Sequence, residues 1–389
     1  MKSKWREPMN KFGKGLVGAS CIWLMLTGFV SAQEPIPAVT AKSAILIEAQ
    51  TGKVLFENNA YEKRAPASTT KMMTLLVALE KGNLDDIVTV SDNASHTEGS
   101  TLWLSAGEQM KMLDLLYGIM LVSGNDATVA VAEHLAGSVP EFAAMMNGKA
   151  AALGAKNTHF TNPNGLPDDN HYSTAADLAL IAAAGYKNPI FVSIVSTINK
   201  RMPWPGKDHE RDLYNENKLL WQYEGGNGVK TGYTDAAGRC LVSGAKRNGV
   251  QLIAVVLDSD FMWTDSMKLL DYGFSQVSPY TVVRQGDVLK TVRVGDGKTD
   301  KVTLASADDV VVAASPDEHD KFTTVMEVAK VKAPVYPGQK LGRIKVLYEG
   351  KEVAGTNLVA TGEVQRKSFF GMLWGGLWNA LTFVVRNFA

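Results

Sequence analysis

Pro66-Ala67-Ser68-Thr69-Thr70-Lys71 runs directly into Met72-Met73-Thr74-Leu75-Leu76-Val77, a polar, Pro-led turn joined to an apolar stretch. The apolar pattern predicts a buried helix over 69–80, with Ser68 at its N-terminus, where the helix dipole favours developing negative charge. Lys71 follows Ser68 by three residues and so shares its helical face. A serine hydroxyl is a weak nucleophile at neutral pH and needs an adjacent base. A lysine on a buried helix is partly desolvated, and the resulting drop in its pKa suits that task. Taken alone, the spacing is common and better describes a capping serine beside a solvated lysine.

Two further clusters change the balance. Ser123-Gly124-Asn125 follows the helical pattern at 111–121, and Lys230-Thr231-Gly232 follows the Gly-rich run Gly225-Gly226-Asn227-Gly228. The glycines predict a sharp turn, after which Thr231-Gly232 is expected to begin a strand. Serine acyl transfer requires a nucleophile, a base, a second proton relay and an oxyanion hole. Ser68, Lys71, and Ser123 with Lys230 supply the first three. The backbone N–H groups of Ser68 and Tyr233 supply the last. Gly232 leaves a strand edge open for an extended peptide.

Around these clusters, Ala44-Ile45-Leu46-Ile47-Glu48 and Val54-Leu55-Phe56 flank a tight turn and read as a hairpin. Helical patterns recur at 126–136, 140–153 and 175–185. Strand-like runs appear at 239–245 and 250–257, then a helix near 264–274. Strands at both ends with helices between them predict one antiparallel sheet covered by helices over residues 38–280. Short alternating runs at 302–304, 310–312, 323–326 and 344–347 predict a small all-β domain over 285–360. It holds no cluster of reactive groups and reads as a spacer or docking module.

The ends of the chain are distinct. Lys2, Lys4, Arg6, Lys11 and Lys14 precede an apolar run and the small-residue site Val30-Ser31-Ala32. This predicts a signal peptide over 1–32 and an exported product, with an uncleaved anchor as the other reading. Residues 364–389 predict an amphipathic helix with Phe370, Leu373, Trp374, Leu377, Trp378 and Leu381 on one face. Such a helix suits the membrane interface, or else packing on the protein's own core.

The chain has 389 residues, 46% of them hydrophobic, enough for a sizeable core. Lysine plus arginine equals aspartate plus glutamate, so there is no basic excess to neutralise phosphates and a nucleic-acid partner is disfavoured. Only Cys240 remains after processing, which leaves no internal disulfide; it reads as a buried thiol in a strand. His96, His134, His171, His209 and His319 lack metal-ligand spacing and read as structural or solvated, and no cofactor is expected.

The ordered set Ser-x-x-Lys, Ser-x-Asn, Lys-Thr-Gly resembles the penicillin-interacting serine transferases. Within them, the chain resembles the low-molecular-mass penicillin-binding proteins, serine-type D-alanyl-D-alanine carboxypeptidases of the 5/6 type. The likeness includes Ser-Gly-Asn-Asp-Ala at 123–127, Leu-Gly-Ala-Lys-Asn-Thr-His-Phe at 153–160, Tyr-Ser-Thr-Ala-Ala-Asp-Leu-Ala at 172–179 and Lys-Thr-Gly-Tyr-Thr at 230–234. It implies an α/β (α+β) β-lactamase/transpeptidase-like domain, an all-β C-terminal domain and a peripheral helix at the periplasmic face of the bacterial inner membrane.

It further implies removal of the terminal D-alanine from peptidoglycan pentapeptides through a Ser68 acyl-enzyme. Lys71 would be the base, and Ser123 and Lys230 would relay a proton to the leaving amine. Asn125 would bind the substrate amide and Thr231 its carboxylate. β-Lactams would trap Ser68. His159 and Asp177 fall in a loop beside the site and stand as supporting candidates. Some relatives carry an arginine before the late helix that holds the carboxylate. Here Asp260-Phe261-Met262-Trp263-Thr264-Asp265 has none, leaving Lys230 with Thr231, Arg201 or Arg239 for that task.

Three alternatives stand beside this expectation. A β-lactamase shares the clusters, but the Pro163–Asp169 stretch lacks the glutamate such enzymes use for deacylation. An endopeptidase acting on cross-links uses the same chemistry. A non-catalytic envelope binding protein would keep the fold alone.

Overall fold

The computed structural model describes residues 35–367. The larger part is a five-stranded antiparallel sheet in the order Val54–Asn58, Ser43–Glu48, Val250–Leu257, Gly238–Arg247, Gly226–Thr234. The central strands read Ser-Ala-Ile-Leu-Ile-Glu and Val-Gln-Leu-Ile-Ala-Val-Val-Leu. Their apolar runs are continuous because both faces are covered. Side chains alternate across the sheet. Ala44, Leu46, Leu252, Ala254 and Val256 pack with Leu269 and Leu270 of the helix Met262–Gln276. Ile45, Ile47, Ile253, Val255 and Leu257 face the larger helical layer.

That layer includes Lys71–Lys81, Met112–Leu121, Asn125–Ala136, Val139–Leu153 and Ala175–Tyr186, each within a few residues of the expected pattern. Met72, Met73 and Leu75 are fully buried, each contributing about 2 kcal/mol from burial alone. Cys240 lies buried in Gly238–Arg247, where burial pushes its thiol up to about 11.

Two local expectations change. Ser68 lies in a 3-10 turn, Ala67–Thr70, and the α-helix proper begins at Lys71. Thr231-Gly232 does not begin a strand. The strand starts at Gly226 and the register shifts between Gly226 and Gly228, so the glycine run is an irregular part of the ladder and Thr231 lies in its middle. The sequence reading also missed the short helix Pro189–Val195 and the hairpin of Asn199–Met202 with Arg211–Tyr214.

The all-β domain is a six-stranded sheet in the order Phe322–Val328, Lys340–Tyr348, Lys351–Ala360, Lys301–Ser306, Val288–Gly295, Val331–Lys332. Ser278–Val283 pairs separately with Val310–Ala314. Val302, Leu304, Val312, Val346 and Leu358 form its core. The expected tail helix is not helical where it is described: Val364 is buried and bridges Val335, and Arg366 bridges Gly297. The rest of that expectation, and the signal peptide, lie outside the described residues. Among the described residues, no single helix is long and apolar enough to cross a membrane.

Candidate active site

The three clusters meet. A crevice of about 310 Å³ is lined by Ser68, Ser100, Ser123, Glu216, Thr231, Gly232, Tyr233, Met262 and Trp263. Its wall is the free edge of Gly226–Thr234, the last strand of the sheet, which pairs on one side only. A Cβ on Gly232 would lie 3.0 Å from the Ser68 nitrogen and 3.1 Å from that of Thr69, so glycine is what lets the strand approach the turn.

Ser68 is half-buried and open to the crevice, whereas Lys71 behind it is fully buried. Lys71 Nζ stands 2.9 Å from Ser68 Oγ, 2.7 Å from Asn125 Oδ1 and 2.7 Å from the carbonyl oxygen of Asn164. Burial holds the Lys71 amine well below the usual lysine range. The nearby Lys230 adds to this, while Glu216 and Asp126 oppose it. Two of the three contacts are carbonyl oxygens that accept N–H groups of the amine in either protonation state; at the third, the Ser68 hydroxyl accepts from an ammonium or donates to the lone pair of a neutral amine.

The Asn164 carbonyl was absent from the sequence reading. Its loop is pinned to the helix by Thr74 Oγ1, which donates to Pro163 O at 2.5 Å. Gly165 has φ +88°, and a Cβ there would stand 1.9 Å from the Ala67 carbonyl oxygen. Beneath, His171 Nδ1 accepts from Thr161 N–H at 3.1 Å, which leaves Nε2–H to donate to Thr70 Oγ1 at 2.8 Å. Burial lowers this imidazole to about 4, keeping it neutral.

Both ends of the Asn125 carboxamide are engaged by the protein: Oδ1 by Lys71, and Nδ2 donating to the Glu98 carbonyl at 2.6 Å. Asn125 thus positions Lys71. Asp126 accepts from Thr101 Oγ1, Leu102 N–H and Leu104 N–H, fixing the loop opposite Ser68. Ser123 is buried at φ 63°, and its Oγ has no hydrogen-bond partner among the described residues. Lys230 is buried, with its pKa lowered by burial and raised in opposition by Glu216. Its Nζ lies 3.3 Å from Thr231 Oγ1 and 3.7 Å from Glu216 Oε2.

Other candidates fall outside. Asp177 is buried and accepts from Asn157 N–H and Thr158 Oγ1, bracing the loop that carries Asn164. His159 lies near Asn170 O, also outside the crevice lining. Tyr233 does line the crevice, but its ring is exposed and its hydroxyl donates to Asp235. Arg201 pairs with Asp212, and neither it nor Arg239 lines the crevice. Glu216, unremarked in the sequence reading, does.

Comparison with known proteins agrees with this architecture. Residues 29–261 match the D-alanyl-D-alanine carboxypeptidase family, and residues 278–366 match the C-terminal domain of penicillin-binding protein 5. The chain is 36% identical to D-alanyl-D-alanine carboxypeptidase DacF of Bacillus subtilis strain 168, covering 86% of this chain and 88% of that one. It is also 36% identical to DacA of Escherichia coli strain K12, covering 87% of each. Penicillin-binding protein 5 from Haemophilus influenzae superposes with a TM-score of 0.61 at 33% identity, covering 85% of this chain and 99% of that one. The chain belongs to the D-alanyl-D-alanine carboxypeptidase family, as a low-molecular-mass, serine-type penicillin-binding protein.

Proposed function

We propose that Ser68 removes the terminal D-alanine from peptidoglycan pentapeptides by acyl transfer. Ser68 Oγ attacks the D-Ala–D-Ala carbonyl as its proton passes to the neutral Lys71 amine. The oxyanion develops toward the backbone N–H groups of Ser68 and Tyr233. The C–N bond breaks, and D-alanine departs as an amine that takes a proton through Ser123, with Lys230 behind it. Water then hydrolyses the acyl-serine ester. Thr231 and the free strand edge hold the peptide in an extended form.

One observation carries this reading. A fully buried lysine places its nitrogen 2.9 Å from a crevice-facing serine hydroxyl, and two carbonyl oxygens take up the amine's own protons. The decisive measurement is intact mass after incubation with benzylpenicillin. Wild type should gain one penicilloyl group and Ser68→Ala none; labelling that persists in the variant would remove Ser68 from the role.

The signal-like segment and the amphipathic tail support a periplasmic enzyme held at the inner membrane surface. Since Val364 is part of the β domain, the cut that isolates the tail follows Lys367. Chains ending at 367 should become soluble and keep penicillin labelling; persistence in the membrane fraction after leader removal would contradict the anchor.

A further inference from the structure

Trp103 is 70% exposed and has φ 60°, in the left-handed region that bulky side chains avoid. Its backbone is held at both polar atoms. The N–H donates to Thr101 Oγ1 at 2.9 Å, and the carbonyl accepts from the buried Arg211 at 3.2 Å. On either side, the N–H groups of Leu102 and Leu104 converge on the buried carboxylate of Asp126, at 2.9 and 3.0 Å. A left-handed residue between them turns both N–H groups toward that one carboxylate. This accounts for the backbone and not for the side chain. Glycine or asparagine would take the same conformation at lower cost, and a mostly exposed indole gains little burial to offset it. A strained position fixed by buried partners points to a use for the side chain it presents.

The indole borders a cavity of about 440 Å³ next to the catalytic crevice. Ser100 lines the crevice, while Glu98 and Gly99 line the cavity, so one short segment serves both. That segment is bonded to Asn125, whose N–H donates to Ser100 O at 2.7 Å and whose Nδ2 donates to Glu98 O at 2.6 Å. Thr97, Glu98, Thr101 and Ser105 stand around the indole. Among the described residues, those lining the cavity include no lysine or arginine, so an anion is a poor match. A neutral sugar ring is a good one. Its C–H groups lie against the negative face of the indole, and its hydroxyls bond to the surrounding hydroxyls and carboxylate.

The reach is right. Trp103 follows Ser100 by three residues, so their Cα atoms are at most about 11 Å apart. A pentapeptide keeps four residues on the acyl side of its last peptide bond, about 14 Å when extended. A stem peptide whose scissile carbonyl is at Ser68 can therefore set the sugar at its other end over Trp103. We propose that Trp103 and the cavity beside it form a subsite for the neutral saccharide that carries the stem peptide, so that glycan-linked pentapeptide is preferred to the free peptide. This rests on the acyl-transfer reading above and extends the substrate of that same site.

The test compares a soluble disaccharide-pentapeptide with the same pentapeptide lacking sugar, on the wild type, Trp103→Gly and Trp103→Tyr. Glycine suits the left-handed backbone, and formation of the penicilloyl adduct reports an intact crevice. The wild type should favour the disaccharide substrate about tenfold in kcat/KM. Trp103→Gly should bring that ratio close to one, mainly through a higher KM for the disaccharide substrate, and Trp103→Tyr, which keeps a stacking face, should recover most of it. A wild-type ratio of one, a ratio that Trp103→Gly leaves unmoved, or parallel losses on both substrates would overturn the subsite while leaving the acyl-transfer reading intact. Wild-type enzyme that neither hydrolyses either substrate nor forms the adduct would instead remove that reading, and this one with it.

Discussion

The carbonyl oxygen of Asn164 and Nζ of Lys71 lie 2.7 Å apart, joining a surface loop to the base of the nucleophile's turn. That contact requires Gly165, whose Cα faces the Ala67 carbonyl with no room for a Cβ. Gly165→Ala should push the loop outward and deprive Lys71 of one acceptor. The expected result is a drop of about a hundredfold in the acylation rate by a fluorescent penicillin, together with a lower melting temperature. An unchanged rate would show that the loop contact is dispensable.

The acylation rate should follow deprotonation of Lys71. Its pKa is depressed, first by burial and then by Lys230, so the rate should rise with pH well below the ordinary lysine range. Lys71→Arg keeps the charge but cannot deprotonate, and should lose acylation about a thousandfold across the accessible pH range. A wild-type profile that rises only near pH 10 would contradict a neutral Lys71.

Lys53 in the first hairpin and Glu318 in the all-β domain are bonded across the domain boundary at 2.5 Å, and Ser315 and Tyr348 donate to the same carboxylate. Burial pushes the Glu318 carboxyl up, but these donors outweigh it and hold it at about 2, below its ordinary 4.5. A depressed carboxyl stabilises the fold fully above its unfolded pKa and progressively less as pH falls through the folded one. Glu318→Gln should therefore cost about 1–2 kcal/mol at pH 7. Its melting-temperature deficit should narrow between pH 4.5 and 2. A deficit that stays constant over that window would show that the carboxylate charge is not what joins the domains.

Cys240 should resist thiol reagents in the folded, leader-free chain and react once unfolded, because it is buried and its thiol is pushed up to about 11. Rapid native-state labelling would mean that the strand Gly238–Arg247 opens locally.

Apolar periodicity gave the helices and the central strands because those residues are buried on predictable faces. Motif order brought Ser68, Lys71, Ser123, Lys230 and Thr231 to one place. The bulged start at Gly226 escaped because a glycine run reads as a turn when its ladder partner is unknown. The Asn164 oxygen belongs to the backbone, so no side-chain motif encodes it. Glu216 sits in Tyr214-Asn215-Glu216-Asn217, which has no motif; its meaning comes from Thr231, which it meets only in the fold. The missed hairpin is held by Arg211, whose guanidinium makes two bonds to Glu108, at 2.6 and 2.9 Å, across about a hundred residues of chain. Nothing local in the sequence announces that pair.

The strand Ser43–Glu48, second in the five-stranded sheet, pairs Ser43 with Leu257 and Glu48 with Leu252. Its partner is thus among the last parts of this domain to be synthesised. The sheet on which the crevice depends stays incomplete until about two hundred residues have followed the first strand out of the ribosome. A shortened or stalled chain would carry the reactive serine and lysine without the frame that makes them reactive. Long-range pairing thereby makes completion of the catalytic frame a late event in the synthesis of this domain.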